Sequence, residues 1–134
     1  MEKYNLETIK ETRGLISKGE YGLSAVIKSL DVWFWGDTVD DVSDEMIEFA
    51  LDIVNAYQSN KNKYDGEALE AVIDVLNEEV DDTIILNQLG TPIISVRTKA
   101  GASLMYGGVE EIGDHMPEVD LDRDLKVVDV ALNG

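Results

Sequence analysis

Apolar residues recur at helical spacing along the first sixty per cent of this chain, and the period changes once, near residue 82. Leu6, Ile9, Leu15 and Ile16 form an irregular apolar side behind the capping residue Asn5, with Gly19 as the stop. Leu23, Val26, Ile27 and Leu30 occupy the i, i+3, i+4, i+7 positions of an amphipathic helix, and Phe34 prolongs the stripe by one turn. That spacing predicts a second helix that turns Phe34 inward, leaves Trp33 and Trp35 on its flanks and ends at Gly36. Ser43 then caps a long third helix, with Asp44 and Glu45 in its first turn and Met46, Ile47, Ala50, Ile53, Val54 and Tyr57 on its apolar face. The polar stretch QSNKNKYDG reads as a loop, after which Leu69, Val72, Ile73, Leu76 and Val80 set a fourth helix.

From Asp82 onward β-branched residues take over. TIILNQLGTPIISVRTKAGASLMYGG, punctuated by Gly90-Thr91-Pro92 and Lys99-Ala100-Gly101, predicts three short strands joined by tight turns. LKVVDVALNG predicts a fourth, with Val128 and Val130 on one face and Val127 and Asp129 on the other, and the intervening GVEEIGDHMPEVDLDRD reads as a loop. Helices first and strands afterward, without alternation, is the order of an α+β fold. The expectation is a single domain over residues 1–134, with about four helices in residues 5–80 followed by a small antiparallel sheet of three to four strands in residues 82–132.

Composition adds limits to that picture. A chain of 134 residues, 44% of them hydrophobic, has enough apolar material for one core. No apolar run approaches the length of a membrane span, and MEKYNLETIK lacks the apolar stretch of an export signal. With no cysteine there is neither a disulfide framework nor a thiolate metal site, so a cytoplasmic protein is expected.

Charge changes the picture more. The chain has 28 carboxylates against 11 Lys plus Arg, a net charge of −17. Residues 1–28 hold five basic and four acidic side chains, which leaves six and twenty-four for the rest. Such a chain repels nucleic acid and anionic lipid, so direct binding to either is not expected.

Motifs that carry catalysis are missing. Gly107-Gly108 with Gly113 lacks the spacing of a dinucleotide loop, and Glu110 and Glu111 would repel a phosphate. His115 is the sole histidine, and Ser24 lacks the second glycine of a nucleophile elbow. Asp120, Asp122 and Asp124 copy positions 1, 3 and 5 of a calcium loop, but Leu125 replaces the glycine and Ala131 the bidentate glutamate, which leaves at most a weak divalent-cation site. The expectation is a protein that is not an enzyme and uses no cofactor.

Two features point to a partner instead. Asp44, Glu48 and Asp52 on the third helix, and Glu70, Asp74 and Glu78 on the fourth, recur every four residues as one-sided ladders. Like charges at that spacing oppose helix formation by about 0.2–0.5 kcal/mol per pair. No Lys or Arg relieves them between residues 29 and 60 or between 64 and 96. Rungs about 6 Å apart lie close to the phosphate spacing of a nucleic-acid strand, so the ladders suit a groove built for that backbone; an ordinary solvated helix face is the bland alternative. DVWFWGDTVDD, residues 31–41, places Trp33 and Trp35 beside Asp37, Asp40 and Asp41, the layout of an aromatic anchor with an acidic rim; two indoles that close the bottom of the helical core are the bland alternative.

Together these features predict a non-enzymatic acidic interaction protein. Its leading reading is an inhibitor that binds a basic nuclease or other nucleic-acid-handling enzyme by nucleic-acid mimicry, as phage anti-defence or anti-CRISPR proteins and nuclease immunity proteins do. One alternative is a phage or bacterial structural or assembly protein, pairing through TPIISVRTKAG if that segment is a free sheet edge. Another is a small divalent-metal-dependent enzyme or ligand-binding domain.

Overall fold

In a computed structural model, which describes residues 4–20, 22–76, 81–107 and 115–133, the stripe Leu23, Val26, Ile27, Leu30 is a β-hairpin and not a helix. After α1 (Leu6–Leu15) and the short β1 (Ser17–Gly19), the chain forms β2 (Gly22–Ile27) and β3 (Leu30–Phe34), paired antiparallel. The turn between them puts Lys28 at φ 49° and Ser29 at φ 71°, the two positive φ values of a tight hairpin turn that usually calls for Asn-Gly. Alternation decides burial: Leu23, Ala25, Ile27, Val32 and Phe34 point inward, while Val26 is 61% exposed.

A single 3-10 turn (Val39–Asp41) leads to α2 (Asp44–Ser59), where the Ser43 hydroxyl accepts the Met46 N–H at 3.2 Å. The polar stretch expected as a loop is mostly helix, because α3 (Lys61–Leu76) begins inside it and buries Tyr64, Ala68 and Val72 at four-residue spacing. Val80 and Glu78 lie outside the described residues. The β-branched TIILNQL is also helical: Asp81 caps α4 (Asp82–Leu89) by accepting the Thr83 N–H at 2.9 Å, and Ile85 and Leu89 form its buried side.

Four strands complete the sheet: β4 (Ile93–Val96), β5 (Ala102–Met105), β6 (Met116–Leu121) and β7 (Val127–Asn133). The segment expected as a loop thus supplies a strand at its end, β6, whereas residues 108–114 lie outside the described part. All seven strands form one sheet in the order β1 to β7, antiparallel except for β3 beside β4, whose connection runs through α2, α3 and α4. The architecture corrects the expected one: among the described residues there are four helices, seven strands rather than three or four, and strands on both sides of the helical segment. The β4 segment is central, so TPIISVRTKAG provides no free edge; β1 and β7 do.

Inward rows run across the sheet through Ala25, Val32, Ile94, Leu104 and Val119, and helix residues such as Ile47, Ala50, Val54 and Ala68 complete one continuous core beneath them. A register irregularity at Asp120/Leu121 pairs Leu121 with Val127 and Val119 with Val130, so Val127 and Val130 both pack on the core and Val128 is exposed. This differs from simple alternation. Among the described residues no helix is long and apolar enough to cross a membrane.

Gly36 fixes the turn that follows β3. Its φ is 156°, and a Cβ there would come within 2.9 Å of the Asp41 Cβ. Gly36→Ala is expected to lower stability by about 1–3 kcal/mol, measured as the midpoint of urea unfolding. An unchanged midpoint would mean that the turn rearranges freely.

Candidate functional site

The helices bury their apolar sides against one face of the sheet, and among the described residues no α-helix lines the cleft on the other. This cleft, of about 830 Å³, is lined by the Trp33 and Trp35 side of β3, the turn residues Gly36, Asp37 and Asp41, and Ile93, Ser95, Arg97, Met105 and Glu118 from later strands. Strand alternation builds it. Trp33 pairs with Ser95, Ser95 with Ser103, and Ser103 with Asp120, so one outward row crosses four strands. The next outward row contains Ile93, Met105 and Glu118. The expected inward Phe34 is seen, although a strand and not a helix produces it, and the tryptophans, expected on helix flanks, take the opposite side of that strand: Phe34 is 3% exposed and Trp35 62%, with Trp33 half-buried.

Polar contacts hold the floor of the cleft. The Trp35 indole N–H donates to Ser95 Oγ at 3.2 Å. Arg97 Nη1 donates to Ser103 Oγ, which in turn donates to Asp120 Oδ1 at 2.6 Å. Arg97 and Asp120 are 3.8 Å apart, so the cation of the cleft already has a carboxylate partner. Ser103 is fully buried, which keeps its hydroxyl away from any ligand in the cleft.

At the rim, Asp41 Oδ2 accepts the backbone N–H groups of Asp37 and Thr38, each at 2.9 Å. These donors, Thr38 first, hold the Asp41 carboxyl below its ordinary range, so it keeps its charge in mildly acidic solution. The arrangement offers broad aromatic surface, fixed negative charge and one neutralised cation, which suits recognition by stacking and charge.

Of the sequence-derived candidates, Trp33, Trp35, Asp37 and Asp41 meet in this cleft, and Asp40 is exposed in the same turn. The ladder acids do not. Helices α2 and α3 bury their apolar sides in the core, and none of the described ladder acids lines the cleft. Asp44 pairs with Arg13 at 2.6 Å. Glu48 is half-buried, whereas Asp52 is 6% exposed and takes Arg123 Nη1 and the Tyr4 hydroxyl at 2.9 Å each. Glu70 and Asp74 are exposed on α3, and Glu78 lies outside the described residues.

The aspartate-rich segment is a hairpin turn. Asp120 faces Ser103, Asp122 Oδ1 accepts the N–H groups of Asp124 and Lys126, and Asp124 is exposed. Among the described residues no group of three or more His, Asp or Glu side chains could hold a metal ion. His115 stands exposed just ahead of β6, and Gly108 and Gly113 lie outside the described part.

Ser95, Arg97, Met105 and Glu118 went unnoticed in the sequence, although each lies in an alternating segment, IISVR, ASLM or MPEVDL, whose inward positions Ile94, Val96, Ala102, Leu104, Val119 and Leu121 are apolar and buried. Alternation shows which side such residues take; only strand register shows that they meet. Compared with protein-family models, curated proteins and solved structures, the chain matches none.

Proposed function

We propose that this is a non-enzymatic acidic interaction protein that binds and inhibits a basic, nucleic-acid-handling enzyme, with the cleft on the sheet face as its docking surface. The observation that carries the reading is that both tryptophans of the chain line one cleft whose rim bears Asp37, Asp41 and Glu118. Exposed aromatic surface beside a charged rim is the composition of a protein-binding hot spot, and a net charge of −17 steers cationic partners toward it. Exposed Glu70 and Asp74, which do not line the cleft, add to the field.

The test is retention of a basic nucleic-acid enzyme on the immobilised protein, with competition by duplex DNA and by salt. The enzyme should be displaced by both, and its activity should fall on addition of the free protein. Trp35→Ala is expected to weaken binding by about 30-fold, the tenfold-per-1.4 kcal/mol equivalent of a hot-spot loss near 2 kcal/mol. Asp74→Lys should weaken it only by slowing association. Retention that DNA does not disturb, or an enzyme that stays fully active when bound, would refute the inhibitor reading.

A further inference from the structure

We propose that the cleft takes an arginine side chain of the partner, its guanidinium stacked on the indole surface of Trp33 and Trp35 and its N–H groups turned to the acidic rim. The inference rests on the reading above that the partner is a basic protein.

Four observations support it. Trp33 lies in β3 and Trp35 one residue beyond its end, where its N–H still bonds to Val96 O, so in extended chain their Cα atoms are separated by about 6.6 Å. Their rings lean apart: Trp33 reaches across β2, where a Cβ on Gly22 would lie 3.8 Å from its Cζ3, and Trp35 reaches across β4 to Ser95. Among the described residues the only aromatic rings that meet are those of Tyr57 and Tyr64, so the two indoles do not cover each other.

The chain's own cations are placed elsewhere. Lys63 lies 5.5 Å from the centre of the Tyr64 ring, and Arg123 lies 5.0 Å from that of Phe49. Among the described residues none sits over either tryptophan. Arg97, the one cation lining the cleft among the described residues, is bound to Ser103 and faces Asp120.

Charge favours a cation from outside. Asp37, Asp41 and Glu118 line the cleft beside Arg97, and Asp41, on which Lys18 also acts through space, holds its charge through two backbone donors. Between arginine and lysine, the geometry selects arginine. A flat group lies about 3.5–4 Å from the aromatic face it stacks on, and Trp35, 62% exposed, offers such a face. Guanidinium is planar, weakly hydrated and able to give two parallel N–H groups to a carboxylate, whereas ammonium is compact and holds its water.

Both tryptophans being in the cleft, intrinsic fluorescence reports directly on its occupancy. The experiment is a titration of the full chain with tetra-arginine and with tetra-lysine peptide at low salt and at about 0.15 M salt. Tetra-arginine should change the emission and bind about tenfold more tightly than tetra-lysine, a preference that persists at the higher salt. Trp35→Leu should remove that preference, with thermal unfolding shifted only by the loss of the indole hydrogen bond to Ser95. Equal affinities for the two peptides, or binding without any emission change, would overturn the proposal. The two failures are separable. A basic enzyme retained by the protein while tetra-arginine leaves the tryptophans undisturbed refutes this site and spares the inhibitor reading; a peptide response without any inhibited enzyme does the reverse.

Discussion

Asp65→Ala is expected to lower stability by about 3–5 kcal/mol, the largest effect of any single substitution considered. Asp65 Oδ1 accepts both the Tyr57 hydroxyl at 2.8 Å and the Tyr106 hydroxyl at 2.7 Å, and Oδ2 accepts Lys61 Nζ at 2.8 Å. Tyr57 is 3% exposed and Tyr106 fully buried, so neither hydroxyl can turn to water when the carboxylate goes. Each hydrogen bond to a charged acceptor contributes about 1.5–3 kcal/mol, and each stranded buried donor costs about 1–3. In urea unfolding followed by circular dichroism the midpoint should fall accordingly. Adding Tyr57→Phe and Tyr106→Phe to Asp65→Ala should recover part of the loss, because the stranded donors are removed with their shape kept. A loss below about 1 kcal/mol would mean that water reaches the cluster.

The same cluster sets an alkaline limit. Burial, and then the Asp65 carboxylate, push the Tyr57 and Tyr106 hydroxyls well above their ordinary value. Burial, followed by Asp52, raises Tyr4 from 10.0 to about 12. The unfolded chain releases these protons near pH 10 while the folded chain retains them, so the stabilisation is complete below pH 10 and lost above it. The decline is roughly 1.4 kcal/mol per pH unit for each tyrosine that holds its proton.

Why the β2–β3 hairpin is invisible in the sequence follows from its turn. Leu23, Val26, Ile27 and Leu30 satisfy helical spacing, while Leu23, Ala25, Ile27, Val32 and Phe34 satisfy alternation. A turn dipeptide such as Asn-Gly would have decided between them, but Lys28-Ser29 adopts the positive φ values without advertising them. In α4 the opposite occurs: the cap at Asp81 and the Ile85–Leu89 pair override the strand propensity of Thr83-Ile84-Ile85. Half of the cleft was legible because Trp33, Trp35, Asp37 and Asp41 are neighbours in the chain. The other half arrives from strands some sixty to eighty-five residues later, through a register that no local pattern encodes.

Asp52→Ala is expected to lower stability by about 2–4 kcal/mol, even though helical spacing alone presents Asp52 as one rung of a solvated ladder. Its carboxylate ties three separate parts of the chain together: the Tyr4 hydroxyl near the N-terminus, α2 itself, and Arg123 in the β6–β7 turn, which also lies over Phe49. Removing it strands the Tyr4 hydroxyl's donor and leaves Arg123 without this carboxylate. Arg123 is 40% exposed at its side chain and can regain water, which keeps the cost below that of breaking a fully buried pair. Glu70→Lys, at an exposed rung of α3, should change stability by no more than about 0.5 kcal/mol. A cycle of Asp52→Ala with Arg123→Met, followed by urea unfolding, should give a coupling of about 1–3 kcal/mol; if Asp52→Ala proves as silent as Glu70→Lys, the rung is solvated after all. The cations that relieve α2 come from Arg13 and Arg123, far outside the helix, which is why a scan of residues 29–60 finds no lysine or arginine to offset its acids. With Asp44 and Asp52 engaged in this way, part of the like-charge cost on α2 is offset within the fold. What the proposed partner would meet is the acidic rim of the cleft, where Asp37 and Trp35 are exposed and Trp33 is half-buried.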